Sequence, residues 1–213
     1  QSKTARKGVL GLMSRSHFYY SILLFTLAAS CGESPAPKVE SPESEKIVAS
    51  DFSADSAYSF VQKQVDFGPR VPNTPEHDAC GQWLASELER FGADVIVQKS
   101  RARAFDGKLL ELQNIIGQFN PKARSRILLY AHWDTRPFAD KDSIRMDIPI
   151  DGANDGGSGV GVLLEIARQL RINPAEIGVD IIFFDGEDYG KPNGIQSMQK
   201  DYLEWCLGSQ HWS

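Results

Sequence analysis

The sequence contains few cysteines and no apolar run long enough to cross a membrane. Its longest apolar run, Phe18 to Ala29, has about a dozen residues, whereas a membrane-spanning helix needs roughly 20. Three cysteines in 213 residues are too few for a scaffold held by several disulfides. The sequence therefore predicts neither a spanning helix nor a disulfide-rich fold.

Basic residues are outnumbered after the first 30 positions. Residues 1–30 hold four basic residues and no acidic one, and residues 31–213 hold 19 basic and 28 acidic residues, a net charge of −9. A surface with this charge repels nucleic acid, so we expect no nucleic-acid partner. The content of 41% hydrophobic and 24% charged residues is ordinary for a globular domain.

The first 30 residues are typical of upstream sequence followed by an export signal. Met13 is the predicted start, which leaves residues 1–12 as upstream read-through. The apolar core, Phe18 to Leu27, is followed by small residues and then by Cys31, the arrangement of a lipoprotein signal in which the cysteine thiol receives a lipid. We expect an exported, membrane-anchored lipoprotein that faces the periplasm or the cell surface. Plain secretion is the alternative.

A polar tether, residues 31–50, precedes the predicted globular domain, residues 51–213. The tether is rich in Ser, Pro and Glu and cannot bury enough apolar surface to order itself. Two cysteines, Cys80 and Cys206, lie in the domain. An oxidising compartment permits one disulfide between them, but two free thiols are the more common arrangement.

From Asp51 onwards the hydrophobic periodicity alternates between helix and strand. The predicted helices are Ser53 to Val65, Pro75 to Phe91, Gly159 to Leu170 and a short one after the loop that holds Gly190, Pro192 and Gly194. The predicted strands are Asp94 to Arg103, Leu109 to Gln118, Ile127 to His132 and Val179 to Phe184. The third helix lies between the last two strands and predicts a parallel crossover unit. The pattern therefore indicates an α/β domain.

Three polar clusters occur where open α/β sheets place their sites, after strands or before the crossover helix. They are His132-Trp133-Asp134, the glycine-rich segment Asp151 to Gly159, and Asp185-Gly186-Glu187-Asp188. Alone, each cluster has an ordinary explanation: a satisfied polar histidine for the first, a turn whose Asp or Ser caps the helix for the second, and a solvated acidic turn for the third. If the strand continues, Asp134 lies beside His132 and can accept a proton from its imidazole. Together, the clusters offer the nitrogen and oxygen ligands that suit zinc.

The order of these motifs resembles the zinc aminopeptidases of family M28, and within them the glutaminyl cyclases. The shared pattern reads HWD, GAND, FFDGED and LGSQ and spans roughly Val65 to Ser213. The long segment between FFDGED and LGSQ, and the segment HWDTRPFAD, are similar to bacterial cyclases. The resemblance implies a three-layer α/β/α fold of the zinc exopeptidase type with a mixed, mostly parallel sheet. It also implies that residues 51–213 are the first part of the catalytic domain.

The resemblance assigns roles to individual residues. Asp155 and Asp188 match zinc ligands, Glu187 matches the catalytic acid/base, and His132 matches a second-metal ligand that is retained in one-zinc cyclases. Asp188 replaces the glutamate common in the family, which shortens the ligand by one methylene. The family's remaining metal histidine has no counterpart up to Ser213, so we expect this fragment to be inactive or nearly so.

The implied reaction converts an N-terminal glutamine of a peptide or protein to pyroglutamate with release of ammonia. Zinc would polarise the amide carbonyl, and Glu187 would transfer the proton. One alternative is an M28-type zinc aminopeptidase, in which the same glutamate would act on water. Another is a non-catalytic lipoprotein on the same fold. His77 and His211 are predicted to have packing or surface roles rather than to replace the remaining histidine.

Overall fold

The computed structural model describes residues 51–192, 194, 196 and 204–213. The predicted export signal, the lipid attachment at Cys31 and the tether lie outside the described residues. Within the described ranges, no helix has the length and apolar content that crossing a membrane requires.

The predicted helices and strands are confirmed, with ends that agree to within two residues. The helices are α1 (Ala54–Asp66), α2 (Pro75–Arg90), α3 (Gly157–Ile172) and α4 (Leu207–Trp212), and the strands are β1 (Asp94–Arg103), β2 (Leu109–Phe119), β3 (Arg126–His132) and β4 (Gly178–Phe184). The short helix predicted after the loop with Gly190, Pro192 and Gly194 is α4.

The four strands form one mixed sheet in the order β1-β2-β4-β3. β3 and β4 are parallel, as the crossover helix predicts, whereas β1 and β2, and also β2 and β4, are antiparallel. The predicted mixed sheet is confirmed, but "mostly parallel" does not describe these four strands. A short connection such as that between β1 and β2 reverses the chain, and only a long crossover can produce a parallel neighbour.

Side-chain caps define where α1 and α2 begin, but not where α3 begins. The hydroxyl of Ser53 accepts the backbone N–H of Ser56 at 3.1 Å before α1. Thr74 caps α2 in the same way, and Pro75 occupies its first turn, where a missing N–H costs nothing. α3 follows Gly156 without any side-chain cap. The interpretation of the glycine-rich segment as a turn capped by Asp or Ser is therefore wrong.

Helices α2 and α3 cover one face of the sheet, with α1 packed against α3, and α4 lies on the other face. Leu88 of α2, Leu164 of α3 and Phe183 of β4 belong to one buried cluster. Because alternate residues of a strand face opposite sides, Phe184 points away from that cluster, and its ring lies 5.8 Å from that of Trp212 in α4. The predicted three-layer arrangement is confirmed.

The two domain cysteines are free thiols. Cys80 is fully buried in α2, and this burial raises the pKa of its thiol to about 12. Cys206 directly precedes α4. Of the two arrangements that the sequence allowed, the structure therefore has two free thiols rather than a disulfide.

Glu165 of α3 connects α3 to the start of α1. Its buried carboxylate accepts the N–H of Ser53 at 2.9 Å and is also bonded to Arg168 and Gln169. The hydrogen bond from Arg168 is the largest of several effects that lower the pKa of Glu165 to about 2. We expect Glu165→Gln to lower the free energy of unfolding at pH 7 by about 1–3 kcal/mol, measured by urea denaturation.

The size of that loss should depend on pH. A carboxylate whose pKa is lowered by folding stabilises the protein fully at pH values above its ordinary pKa of 4.5. This contribution is lost as the pH falls toward the folded-state pKa of about 2. The difference between the wild type and Glu165→Gln should therefore shrink below pH 4.5. Glu89→Gln, at an exposed position on α2, is the control and should change little. An equal loss at pH 7 and pH 3 would contradict the ionic role of Glu165.

Candidate active site

The parallel pairing of β3 and β4 brings two of the predicted polar clusters together. His132 lies opposite Phe184 at the ends of these strands, and the N–H of Trp133 donates to the carbonyl of Phe184 at 3.0 Å. The segments that follow the two strands therefore leave the sheet side by side, at the edge where α/β proteins place their sites.

Asp134 is the buried residue that connects these segments. One of its carboxylate oxygens accepts the N–H of Glu187 and the other accepts the N–H of Asp188, both at 3.0 Å. Its Oδ1 also lies 3.5 Å from Nδ1 of His132, beyond normal hydrogen-bond length. The sequence predicted that Asp134 orients His132. In the structure, its two hydrogen bonds instead hold the backbone of Glu187 and Asp188, which we call the acidic pair.

His132 forms a pair with Asp155. Its Nε2 lies 2.9 Å from Oδ1 of Asp155, so the HWD cluster meets the glycine-rich segment as predicted. Burial lowers the pKa of His132, but the carboxylates of Asp134, Glu187 and Asp155 outweigh burial and raise it to about 10. These carboxylates therefore favour the positively charged form of the imidazole.

The acidic pair lies in an environment that disfavours its ionised form. Burial, assisted by the negative charges of Asp134 and Asp155, raises the pKa of Asp188 to about 6. The same causes raise the pKa of Glu187, opposed by the positive charge of His132. Oδ2 of Asp188 is buried and has no hydrogen-bond partner in the described part of the chain. A carboxylate pair in this condition is suited to hold a cation or to exchange a proton.

Arg70 holds the glycine-rich segment against the end of β3. Its fully buried guanidinium donates to the carbonyls of Trp133, Asp151 and Gly152 at 3.1, 2.7 and 2.9 Å. Gly152 has a φ of +60°, which other residues seldom adopt. Sequence reasoning missed Arg70, because a lone arginine in a loop has no periodicity or motif that indicates burial.

Asp185, the first residue of the acidic cluster, has a structural role. Both of its carboxylate oxygens lie 2.9 Å from Nε2 of His77, and one also accepts the N–H of Gln113 at 2.7 Å. The ring of His77 stacks on Trp133 at 4.3 Å. Burial opposes protonation of His77, but the hydrogen bond to Asp185 raises its pKa overall. The packing role predicted for His77 is confirmed, and His211 is exposed at the end of α4.

The LGSQ motif is the segment that docks α4 onto the acidic turn. The N–H groups of Cys206, Leu207 and Gly208 donate to the carbonyls of Glu187, Gly186 and Asp185 at 3.1, 3.0 and 2.9 Å. The side chain of Asn114 in β2 donates to the carbonyl of Gly208 at 2.8 Å. The motif therefore holds the turn that carries the acidic pair, and it contributes no side chain to that pair.

Gly208 is required here because of close packing. A Cβ at this position would lie 2.3 Å from both Oδ1 of Asn114 and the carbonyl oxygen of Asp185. We expect Gly208→Ala to lower the free energy of unfolding by about 1–3 kcal/mol, measured by chemical denaturation, although alanine is the better helix former. Ser209→Ala, whose hydroxyl bonds within its own turn, is the control. A neutral effect of Gly208→Ala would mean that α4 is not tightly docked.

A cavity of about 920 Å³ opens beside the acidic pair. Its lining includes Asp155, Asp188 and Trp205, together with parts of the segment 136–151. Arg136 closes one side, because it donates to both oxygens of Asp140 at 2.9 and 2.7 Å and to the carbonyl of Asp188 at 3.1 Å. Its guanidinium also lies 4.9 Å from the ring of Trp205.

The structure places the four predicted site residues in one neighbourhood. Asp155 and Asp188 line the same cavity, His132 is bonded to Asp155, and the charges of His132 and Asp155 both affect the pKa of Glu187. Among the residues that the structure describes, no three His, Cys, Asp or Glu side chains form a group that could hold a metal ion. The roles assigned to these residues therefore stay predictions.

Comparisons with known proteins identify the same family as the motifs. The model of peptidase family M28 matches residues 114–213. The crystal structure of a Tannerella forsythia glutaminyl cyclase is 54% identical over 76% of this chain and 55% of that chain, with a TM-score of 0.73. A Zn-dependent exopeptidase from Parabacteroides distasonis is 56% identical over 78% of this chain and 56% of that chain, with a TM-score of 0.74. The glutaminyl-peptide cyclotransferase of Drosophila melanogaster is 26% identical over 64% of this chain and 39% of its own length.

The chain spans a little over half the length of these solved relatives and about two fifths of the curated one. The segment that matches the family model contains all four predicted site residues, as well as Asp134 and the LGSQ motif. Residues 114–213 therefore match peptidase family M28, and the chain is similar to bacterial glutaminyl cyclases.

Proposed function

We propose that the full-length protein is a zinc-dependent glutaminyl-peptide cyclotransferase, which converts an N-terminal glutamine to pyroglutamate and releases ammonia. The observation that carries the proposal is the position of the acidic pair. Asp134 accepts both of its backbone N–H groups at 3.0 Å, and the pair lies beside a cavity that is lined by Asp155 and Asp188. The similarity to bacterial glutaminyl cyclases, with more than half of the aligned residues identical, supports cyclisation as the reaction.

The residues at the cavity fit a zinc ion in their chemistry. Asp188 has a buried oxygen without a hydrogen-bond partner in the described residues, and its raised pKa reflects burial first and then the nearby carboxylates. A cation relieves both the desolvation and the repulsion, and carboxylate oxygens and imidazole nitrogens are zinc ligands. Asp155 and Asp188 would hold the ion, with His132 as a conditional further ligand. When bound, zinc would polarise the side-chain amide carbonyl of the substrate.

Glu187 has the properties that the proton transfers require. In the cyclisation, the α-amino nitrogen attacks the amide carbon of the same glutamine, a ring C–N bond forms, and the bond to the amide nitrogen breaks. Glu187 would accept the proton that the amine loses and deliver it to the departing nitrogen, which leaves as ammonia. Its raised pKa makes the protonated form more accessible than in an ordinary glutamate, as a group that both takes and returns a proton requires.

An M28-type zinc aminopeptidase is the second candidate function, and it is supported by the similarity to a Zn-dependent exopeptidase. The full-length protein should be incubated with zinc and peptides that begin with glutamine, while ammonia and free amino acids are measured. We expect ammonia without free glutamine. Release of amino acids without ammonia would exclude the cyclase in favour of the aminopeptidase, and absence of both products and of bound zinc would indicate a non-catalytic protein.

We also propose that the protein is exported and anchored in a membrane through a lipid on Cys31. The proposal rests on the apolar core and the small residues before this cysteine. When cells that express the full-length protein are given a labelled fatty acid, we expect label in the wild type and none in Cys31→Ala. Equal labelling of both proteins would exclude Cys31 as the attachment site.

A further inference from the structure

The cavity beside the acidic pair is larger than the reaction needs. Only the first residue of the substrate reacts in the cyclisation, whereas a volume of about 920 Å³ lies near the upper end of the roughly 300–1,000 Å³ found for ligand pockets. Besides Asp155 and Asp188, the described lining includes the apolar side chains of Phe138, Ile148 and Ile150. These side chains belong to the segment 136–151 and have no part in the proton transfers.

The apolar part of the wall is held in place by its own backbone. The N–H of Ala139 donates to the carbonyl of Ile148 at 2.9 Å, and the N–H of Ile150 donates to the carbonyl of Arg136 at 3.2 Å. Arg136 in turn is bonded to Asp140 and to the carbonyl of Asp188. The wall is therefore connected to the acidic pair, and a peptide in the cavity would meet a surface that is already formed.

Ile148 lines the cavity, and packing within the described residues leaves about half of its side chain exposed. Its side chain is 52% exposed while it lines the cavity. A ligand that covers an isoleucine of this exposure removes apolar surface from water, which favours binding. The charges of the lining are partly compensated, because Asp140 is paired with Arg136 and Asp142 lies 3.5 Å from Arg145.

We infer that Phe138, Ile148 and Ile150 form a subsite for an apolar side chain of the substrate peptide, at the residue that follows the N-terminal glutamine. The inference rests on the proposed function and specifies the substrates that the same site prefers. A peptide bound with its first residue at Asp155 and Asp188 continues into a cavity whose described wall is apolar at these three positions. A leucine or phenylalanine side chain there gains contacts that serine or aspartate cannot make.

The test uses the full-length protein with zinc and peptides of the form Gln-X-Gly-amide, in which X is leucine, phenylalanine, serine or aspartate. We expect kcat/KM for ammonia release to be about tenfold higher for leucine and phenylalanine, with most of the difference in KM, as for contacts made equally in the ground and transition states. Ile148→Ser should reduce this preference to about threefold or less. Ile144→Ser is the matched control, because Ile144 lies on the same loop with 89% exposure and does not line the cavity.

A binding titration makes the subsite testable without turnover. In the full-length Glu187→Gln variant, the Kd of the leucine peptide should be about tenfold lower than that of the serine peptide, and adding Ile148→Ser should remove most of the difference. Equal affinities, or a preference that Ile148→Ser leaves unchanged, would overturn the inference while ammonia release continued to support the cyclase. Failure to release ammonia from any peptide would overturn the proposed function, and the titration would still decide the subsite.

Discussion

Glu187→Gln is expected to lower kcat of the full-length enzyme for glutamine cyclisation by about 10²–10⁴-fold, the range over which a positioned acid/base group contributes. Glutamine has nearly the shape of glutamate but cannot accept and return a proton. The N–H of residue 187 that donates to Asp134 at 3.0 Å is a backbone group, so the variant should keep this hydrogen bond. Ammonia release under saturating peptide measures the effect.

Two observations separate this chemical role from a structural one. Glu176→Gln, at an exposed position before β4, should leave kcat unchanged. The thermal unfolding midpoint of Glu187→Gln should remain close to that of the wild type, because burial already disfavours the negative charge that the substitution removes. A loss of less than about tenfold in kcat would exclude Glu187 as the main proton carrier.

Asp155→Asn and Asp188→Asn are each expected to weaken zinc binding by the full-length protein more than about 100-fold, and to abolish ammonia release at micromolar zinc. Loss of an outer hydrogen-bond partner of a ligand already costs about 10–100-fold in metal affinity, and loss of a charged ligand should cost more. Competition with a chromophoric chelator gives the affinity, and elemental analysis gives the stoichiometry.

The same measurement decides the role of His132. If His132 is a ligand, His132→Gln should weaken zinc binding by an amount similar to that for Asp155→Asn. If it only pairs with Asp155 through the 2.9 Å contact, the zinc affinity should fall by about 10–100-fold, less than for the loss of a ligand. Asp147→Asn, at an exposed position in the segment beside the cavity, is the control. Unchanged zinc affinity in both Asp155→Asn and Asp188→Asn would remove them from the metal site.

The helices and strands were predictable because their signals are local. The period of 3.6 in α2 and α3 and the continuous apolar run of β4 reflect which side of each element is buried, and that information lies within a few neighbouring residues. The predominance of antiparallel pairing among these strands was not predictable from such signals. Pairing of β2 with β4 joins residues about 65 positions apart, and periodicity does not specify which strands become neighbours.

The same distinction applies to the candidate site. Asp155, Glu187, Asp188 and His132 could be selected because acidic and histidine residues after apolar strands are chemically conspicuous, and because their order resembles a known family. The two hydrogen bonds of Asp134 could not be predicted, since its partners Glu187 and Asp188 lie 53 and 54 positions away. His77 looked like an ordinary residue in the first turn of α2, yet it is fully enclosed between Asp185 and Trp133.

The residue types of the site, the element that carries each of them and the family resemblance could thus be read from the order of amino acids alone, because motifs and periodicity are short-range properties. The contacts that orient the site depended on packing. Arg70 holds the loop that precedes α3, Gly208 lets α4 approach the acidic turn, and Ile148 reaches the cavity only because its loop is bonded back to Ala139. Each of these contacts joins segments that only the arrangement of the sheet and its helices brings within a few ångströms.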